Sequence, residues 1–240
     1  MHVVMRGINM DVMCAHYEAV QDQQRYRRHF DVEPPVDVGR SDVWPMYMAS
    51  LIRCPREVGP SDENVPVREA VLGQFGLIPH WAEDMSMGKR TYNARSETAA
   101  SKPSFRDAWR QGQRCIIPVE AFYEPDWRSG KAVLTRISRT DGKPIGLAGL
   151  WSCWKSPSGE LLYSYTLLTI NADVHPMMKN FHKPGDEKRM VVVLRDNVYG
   201  DWLTAPVQQT MDFMRSFPDD QLIAEVMIKR SKKDLFGDGE

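Results

Sequence analysis

Residues 114–194 contain the pattern that decides the fold. Five short segments here are rich in β-branched and aromatic residues: RCIIPV (114–119), KAVLTRIS (131–138), PIGLAGLW (144–151), LLYSYTLLTI (161–170) and MVVVL (190–194). The dipeptides between them are typical of tight turns: Ser129-Gly130, Asp141-Gly142 and Ser158-Gly159. Because such segments favour strands, this stretch predicts a β-rich core.

The segments outside this stretch add further strands and scattered helices. Residues 43–52 and 69–79 are strand-like, and Pro45 interrupts the first of them. Helices are predicted at 16–30, 103–111, 172–181, 197–204 and 206–215. Because the strands do not alternate regularly with helices, the sequence predicts an α+β fold in a single mixed domain.

Length and composition limit the broad class of the protein. The 240 residues are 42% hydrophobic and 26% charged, with 31 Lys plus Arg against 32 Asp plus Glu, a net charge of −1. This composition is typical of a globular protein and excludes disorder over the whole chain. The near-zero charge provides no overall attraction to nucleic acid or to an anionic membrane. No apolar stretch reaches the roughly 20 residues that span a bilayer.

Cysteine usage and motifs narrow the class further. The four cysteines are Cys14, Cys54, Cys115 and Cys153, which form no CxxC pair and are too few for a disulfide scaffold. The GxGxxG, P-loop, HExxH and GxSxG motifs are absent. We therefore expect a reduced, cytoplasmic protein with no metal and no cofactor.

Cys14 acquires special chemistry if it becomes the first residue of the chain. It follows Met13 in MDVMCAHY (10–17). An N-terminal cysteine has an amine and a thiol on adjacent carbons, so the amine can condense with an aldehyde and the thiol can close a thiazolidine ring. An internal Cys14 cannot do this, because its nitrogen is an amide. The alternative interpretation is a small buried thiol, as most free cysteines are.

Polar residues alternate in the segment TYNARSETAA (91–100). Asn93, Arg95 and Glu97 face the same way if the segment is extended. Asn93 offers an amide, Arg95 a forked cation suited to phosphate, and Glu97 a partner that orients Arg95. A solvated polar turn before a helix is an equally good interpretation.

Candidate acids and bases follow two of the predicted strands. Glu124 comes after the aromatic pair in VEAFYEP (119–125), where apolar surroundings favour a raised pKa. His182 lies between a predicted helix and a strand, and His175 is an equal rival. The alternatives are an exposed strand-end Glu124 and structural histidines.

Four of these segments resemble, in the same order, motifs of the SOS response-associated peptidase (SRAP) family. MCAHY resembles Met-Cys-Gly-Arg-Phe, and TYNARSET resembles Asn-Ala-Arg-x-Glu-Thr. PVEAFYEP resembles Pro-x-x-Gly-Phe-Tyr-Glu-Trp, and NFHKPGDEKRMVVVL resembles His-Asp-Arg-Met-Pro-Val-Ile-Leu. The resemblance covers residues 13–230. It leaves 1–12 as a leader or a wrongly assigned start, and 231–240 as a flexible tail.

The resemblance implies a role for each matching residue. Cys14 is expected to link covalently to the aldehyde of an abasic site in single-stranded DNA, and Asn93 to hold the sugar-derived part of the adduct. Glu124 and His182 are expected to form an acid/base pair. The expected DNA ligands are Arg95, Trp81, Lys89, Arg90, His16 and Arg106. The implied fold is a strand-rich, barrel-like core with peripheral helices, in a monomer that associates with the nucleoid when bound to DNA.

The sequence also departs from the family motifs. His16 stands where the family has an arginine, and RSDVWPMYM (40–48) matches poorly outside Pro45. Five extra residues within 183–188 separate His182 from Arg189-Met190, and Val191 replaces a family proline. Twelve residues precede Met13, so we expect either a later translation start or self-cleavage before Cys14.

Three functional hypotheses remain open at this point. The first is a protein that crosslinks abasic sites, or acts as a lyase if the ring does not close. The second is a cysteine autopeptidase that removes its own leader, and the third is a non-catalytic binding module. Local charge favours DNA binding, because Lys89–Arg114 has seven basic and two acidic side chains.

Overall fold

The computed structural model describes residues 14–55 and 68–227. Its strands are β1 (Tyr17–Ala19), β2 (Asp42–Val43), β3 (Met48–Arg53), β4 (Glu69–Phe75), β5 (Asn93–Arg95), β6 (Arg114–Asp126), β7 (Val133–Arg139), β8 (Ile145–Lys155), β9 (Leu161–Asn171), β10 (Arg189–Val191), β11 (Val193–Leu194) and β12 (Leu222–Val226). The α-helices are α1 (Gln23–Phe30), α2 (Ser96–Ala99), α3 (Arg106–Arg110) and α4 (Tyr199–Thr204). Short 3₁₀ helices cover Met85–Arg90, Met178–Asn180, Asp196–Val198, Val207–Phe213 and Asp219–Gln221.

Five strands close into a barrel. β8 pairs with β9, β9 with β4, β4 with β3, β3 with β6, and β6 returns to β8. The β4–β9 pair is parallel and the other four are antiparallel. Closure satisfies the backbone groups that an open sheet would leave unpaired at its edges. The predicted α+β fold with a barrel-like core is therefore confirmed.

Both faces of the barrel strands carry buried apolar side chains. Ile116 and Ile117 on β6 and Leu147 on β8 are fully buried. Gly149 allows the strands to approach closely, because a Cβ atom there would overlap the Ile117 side chain and the Thr166 carbonyl. The core thus fixes β6, whose far end carries Glu124.

Two of the predicted helices are wrong over much of their length. Within 16–30, the first residues form β1, and the helix begins at Gln23 after the Asp22 side chain accepts hydrogen bonds from backbone N–H groups. Within 172–181, only Met178–Asn180 is helical and it is a 3₁₀ turn, since Pro176 disfavours helical backbone at the residue before it.

The other predicted elements agree better with the structure. The helices expected at 103–111 and 197–204 correspond to α3 and α4, and that at 206–215 to the 3₁₀ helix Val207–Phe213. The strand expected at 43–52 is split into β2 and β3 around Pro45, and that at 69–79 contains β4.

Two expectations fall outside the described residues, namely the leader at 1–12 before Met13 and the flexible tail at 231–240. Within 14–55 and 68–227, no helix has the length and apolar character needed to cross a bilayer.

Candidate active site

Cys14 and Asn93 are brought together from distant parts of the chain. Cys14 lies just before β1, which pairs with β6 so that Tyr17 faces Phe122. Asn93 begins β5, which extends along β9. The Asn93 amide Nδ2 donates a hydrogen bond to the Cys14 carbonyl oxygen at 2.9 Å. Asn93 Oδ1 is buried and has no hydrogen-bond partner among the described residues, so one acceptor remains for a ligand.

Glu124 lies beside Cys14 at the end of β6. Its side chain is 1% exposed, and neither carboxylate oxygen accepts a well-aligned hydrogen bond within the described part of the chain. Burial raises the pKa of Glu124 to about 8, and contacts with the thiol and backbone of Cys14 oppose the rise in part. Glu124 can therefore hold or release a proton near neutral pH.

The Cys14 thiol is held in its protonated form. Cys14 is 2% exposed, and its Sγ–H group points to the His16 carbonyl oxygen at 3.9 Å. Burial raises the pKa of the Cys14 thiol well above its ordinary value, and the neighbouring Glu124 carboxylate raises it further. A reaction at Cys14 therefore needs a base nearby, because the thiolate is the nucleophile.

His182 completes the cluster from the segment after β9. Its Nε2 lies 3.8 Å from Glu124 Oε2 and 2.8 Å from the Arg189 carbonyl oxygen. Because a carbonyl only accepts, Nε2 carries the hydrogen in this contact. Burial lowers the pKa of His182, which favours a neutral ring. The backbone φ of 65° lies in the left-handed region, and the His182 N–H donates to the Pro125 carbonyl at 3.1 Å.

His175, the rival candidate, has a structural role. Its Nε2 lies 2.8 Å from the Phe217 carbonyl oxygen, and its Nδ1 accepts from the backbone N–H groups of Met177 and Met178. Both ring nitrogens are thus occupied by backbone groups. Of the two histidines, only His182 contacts Glu124 in the described residues.

Arg95 and Glu97 do not form the expected pair. β5 ends at Arg95 and α2 begins at Ser96, so the strand alternation stops before Glu97. Glu97 instead accepts two hydrogen bonds from Arg189, at 2.9 and 2.8 Å. Arg95 forms an ion pair with Glu187. The predicted orientation of Arg95 by Glu97 is therefore wrong, because helix α2 turns Glu97 toward a different arginine.

His16 is packed between two aromatic rings. Its imidazole stacks on Trp44 and on Tyr123, with both ring-centre distances 4.1 Å and planes within 12° of parallel. Its Nε2 contacts the Asp42 carboxylate. Burial lowers the pKa of His16, and Asp42 opposes this in part. Its polar contact is with Asp42, and its role as a DNA ligand stays a prediction.

The other expected DNA ligands lie on exposed surface rather than in the Cys14 cluster. Trp81 is 44% exposed. Lys89 and Arg90 are exposed in the last turn of a 3₁₀ helix, and Arg106 is exposed at the start of α3, 3.6 Å from Asp107.

No group of three or more His, Cys, Asp or Glu side chains suited to a metal occurs in the described residues.

Comparison with known proteins identifies the family. The model of the SOS response associated peptidase (SRAP) family matches residues 13–230. This chain belongs to the SRAP family. The expected family is thus confirmed over most of the chain.

Relatives and solved structures agree with membership in the SRAP family. The abasic site processing protein YoqW of Bacillus subtilis is 35% identical over 144 residues, which cover 60% of this chain and 60% of YoqW, a little under two thirds of that relative's length. The abasic site processing protein HMCES of Mus musculus is 28% identical over 44% of this chain and 39% of its own.

A crystal structure from Bordetella bronchiseptica is 48% identical, covers 90% of this chain and 100% of its own, and has a TM-score of 0.82. One from Bacteroides thetaiotaomicron, 19% identical with a TM-score of 0.71, covers 92% of this chain and 94% of its own and shares the fold.

The sequence interpretation of this SRAP chain missed several residues that shape the site. They are Asp42, Trp44 and Tyr123 around His16, and Glu187 and Arg189 beside Arg95. Tyr123 directly precedes Glu124, so the sequence around Glu124 could have drawn attention to it. The partners of Arg95 and His16 are distant in sequence, and no local pattern signals them.

Proposed function

We propose that this protein processes abasic sites in single-stranded DNA by forming a covalent link through Cys14. The observation that carries the proposal is the buried cluster of Cys14, Asn93, Glu124 and His182. Within it, Asn93 Oδ1 has no hydrogen-bond partner among the described residues, and the Glu124 oxygens contact Cys14 and His182 without a well-aligned hydrogen bond. Buried polar atoms are rarely left unpaired, so they favour a polar ligand at this point. The names of YoqW and HMCES support the same substrate.

The proposed reaction requires a chain that begins at Cys14. Its α-amine attacks the open-chain aldehyde of the abasic sugar, and loss of water gives a Schiff base. The Cys14 thiol then adds across the C=N bond, so that sulfur joins carbon and the proton moves to nitrogen, closing a thiazolidine ring. If the ring does not close, β-elimination from the Schiff base cleaves the strand, which is a lyase activity.

Glu124 and His182 are suited to move the protons of this sequence. Glu124, with its pKa raised to about 8, accepts a proton from the Cys14 ammonium or thiol and returns it to the leaving hydroxyl of the carbinolamine. In the proposal, His182, whose Nε2 lies 3.8 Å from Glu124 Oε2, relays that proton once substrate binding brings the two groups to hydrogen-bond distance. In the same proposal, Asn93 Oδ1, which has no hydrogen-bond partner among the described residues, accepts from a sugar hydroxyl, and Arg95 binds a backbone phosphate.

A denaturing gel tests the crosslink. A chain beginning at Cys14 is mixed with an abasic single-stranded oligonucleotide, beside Cys14→Ser and the matched thiol control Cys153→Ser. We expect a shifted band with the unchanged chain and with Cys153→Ser. Cys14→Ser keeps the amine but cannot form the thiazolidine, so its band should need a borohydride reductant. Absence of any band from the Cys14-started chain would refute the proposal.

An autopeptidase is the second candidate, and 13 residues before Cys14 in the sequence favour it. The Cys14 sulfur would attack the Met13 carbonyl carbon, breaking its C–N bond to give a thioester and a free amine, and water would hydrolyse the thioester. Intact mass of the full chain reveals this cleavage. If the unchanged protein has the mass of a chain that begins at Cys14 and Cys14→Ala has the mass of the full chain, the autopeptidase is supported. Full-length masses for both proteins would refute it.

A further inference from the structure

Glu187 bridges two arginine side chains beside the candidate site. Its Oε2 lies 2.7 Å from Nη1 of Arg95, and its Oε1 accepts a hydrogen bond from Nη1 of Arg189 at 2.8 Å. Two oxygens of one carboxylate therefore contact two separate guanidinium groups. The two non-bridging oxygens of a phosphodiester offer the same pair of acceptors to arginine.

The two arginines differ in what else holds them. Arg189 is 2% exposed and keeps both hydrogen bonds to Glu97 and one to the Thr169 carbonyl at 2.8 Å. The side chain of Arg95 is 49% exposed, and its ion pair is with Glu187. Release of Glu187 would thus leave Arg189 neutralised and turn Arg95 into an available cation.

The segment that carries Glu187 is anchored independently of the ion pair. Lys188 Nζ donates to the carbonyl oxygens of His182 and Lys183, and the Lys188 N–H donates to the Asp173 carboxylate. The Glu187 side chain is 34% exposed. It can therefore leave Arg95 by rotating its side chain, while the backbone of 183–188 stays in place.

We propose that Glu187 occupies the phosphate position on Arg95 in the free protein, and that a DNA phosphate must displace it. The inference rests on the proposed function, in which Arg95 binds the DNA backbone. Glu187 then acts as an internal competitor for Arg95. It lowers the affinity of the protein for a DNA strand, because the phosphate has to replace the ion pair that Arg95 already makes.

The test measures the affinity for single-stranded DNA that contains tetrahydrofuran, an abasic analogue without an aldehyde, by fluorescence anisotropy. Glu187→Gln keeps the shape of the side chain and removes its charge. We expect the dissociation constant to fall about threefold, in line with the strength of an exposed ion pair. Asp186→Asn is the matched control, because it removes the same charge from the adjacent residue, and we expect little change.

Removal of Arg95 tests whether Glu187 affects DNA binding through its ion pair with Arg95. In an Arg95→Ala background, Glu187→Gln should bring no gain, because no phosphate site remains to be freed. Equal gains from Glu187→Gln and Asp186→Asn would overturn the proposal in favour of general charge repulsion. A gain that persists without Arg95, or no gain or weaker binding by Glu187→Gln, would overturn it as well.

A parallel crosslinking assay with the aldehyde form of the strand separates this inference from the proposed function. Crosslinking by the unchanged chain without any effect of Glu187→Gln on affinity refutes the inference alone. If the unchanged chain forms no crosslink but Glu187→Gln binds DNA more tightly as expected, the covalent function is refuted and the competition between Glu187 and phosphate for Arg95 is supported.

Discussion

Oε2 of Glu124 lies 3.8 Å from Nε2 of His182, and both side chains are more than nine-tenths buried. The imidazole is directed to the Arg189 carbonyl, at 2.8 Å, rather than to the carboxylate. Burial raises the pKa of Glu124 and lowers that of His182, so the pair favours two neutral groups over an ion pair. A neutral carboxyl group beside the Cys14 thiol, with a neutral imidazole on its other contact, is suited to passing a proton in either direction.

Glu124 should make stability depend on pH. Its pKa rises from an ordinary 4.5 to about 8 in the folded protein, so the folded state retains a proton that the unfolded state loses. The free energy of unfolding should fall between pH 4.5 and 8, by an upper limit of about 5 kcal/mol. Glu124→Gln cannot titrate. Urea unfolding at pH 5 and pH 8 should show its stability rising relative to the unchanged chain, and a pH-independent difference would contradict this.

Glu124 should also control the rate of crosslinking. Loss of a general acid or base typically costs about 100-fold or more in rate. We expect Glu124→Gln to slow adduct formation by that amount and to abolish the change in rate near pH 8. Glu120→Gln is the control, since Glu120 lies on the same strand but pairs with Arg25. Single-turnover gels at several pH values provide the rates, and an unchanged profile in Glu124→Gln would exclude this role.

Glu97 should stabilise the protein more than Glu187 does. Glu97 receives two hydrogen bonds from the buried Arg189, and Glu187 receives one. Glu97→Gln weakens two charge-assisted hydrogen bonds to the buried Arg189, but the Glu97 side chain is 46% exposed, so we expect a loss of about 1–2 kcal/mol in the free energy of unfolding. Glu187→Gln should cost less than about 1 kcal/mol, because Arg189 keeps Glu97. Urea unfolding measures both, and equal losses would contradict the assignment.

The barrel could be anticipated because its strands are long and locally patterned. β6, β8 and β9 correspond to segments whose β-branched and aromatic residues lie together in the sequence. The helix expected over 172–181 is reduced to a short 3₁₀ turn after His175-Pro176, where the His175 ring accepts from the backbone N–H groups of Met177 and Met178 and contacts the distant Phe217 carbonyl. Amphipathic spacing alone carries no information on such contacts.

The site could be predicted in its chemistry but not in its pairings. Cys14, Asn93, Glu124 and His182 stand out by residue type, and the structure brings them together. The partner of Arg95 is 92 residues away, on a segment that follows β9. Long-range ion pairs depend on how strands are registered in the closed barrel, so nearest neighbours in sequence are poor guides to them.

The stacked ring of His16 should hold the N-terminal segment in place. Each aromatic contact, with Trp44 and with Tyr123, typically contributes about 0.5–1.5 kcal/mol. His16→Ala should therefore lower the free energy of unfolding by about 1–3 kcal/mol. His16→Phe keeps the stacking and loses the contact with Asp42, so most of the stability should return. Urea unfolding of both variants tests this, and equal losses would assign the stability to Asp42 instead.

Trp81 should contribute to DNA binding. The residue is 44% exposed, so part of its ring is open to a base, and stacking of a base on an aromatic ring is worth about 1–3 kcal/mol. We expect Trp81→Ala to weaken binding to tetrahydrofuran-containing single-stranded DNA by at least about fivefold. Leu161→Ala is the control, because Leu161 is 67% exposed and lacks a ring. Anisotropy titrations of both variants at a temperature where both are folded measure this, and equal affinities for the two variants would exclude base stacking.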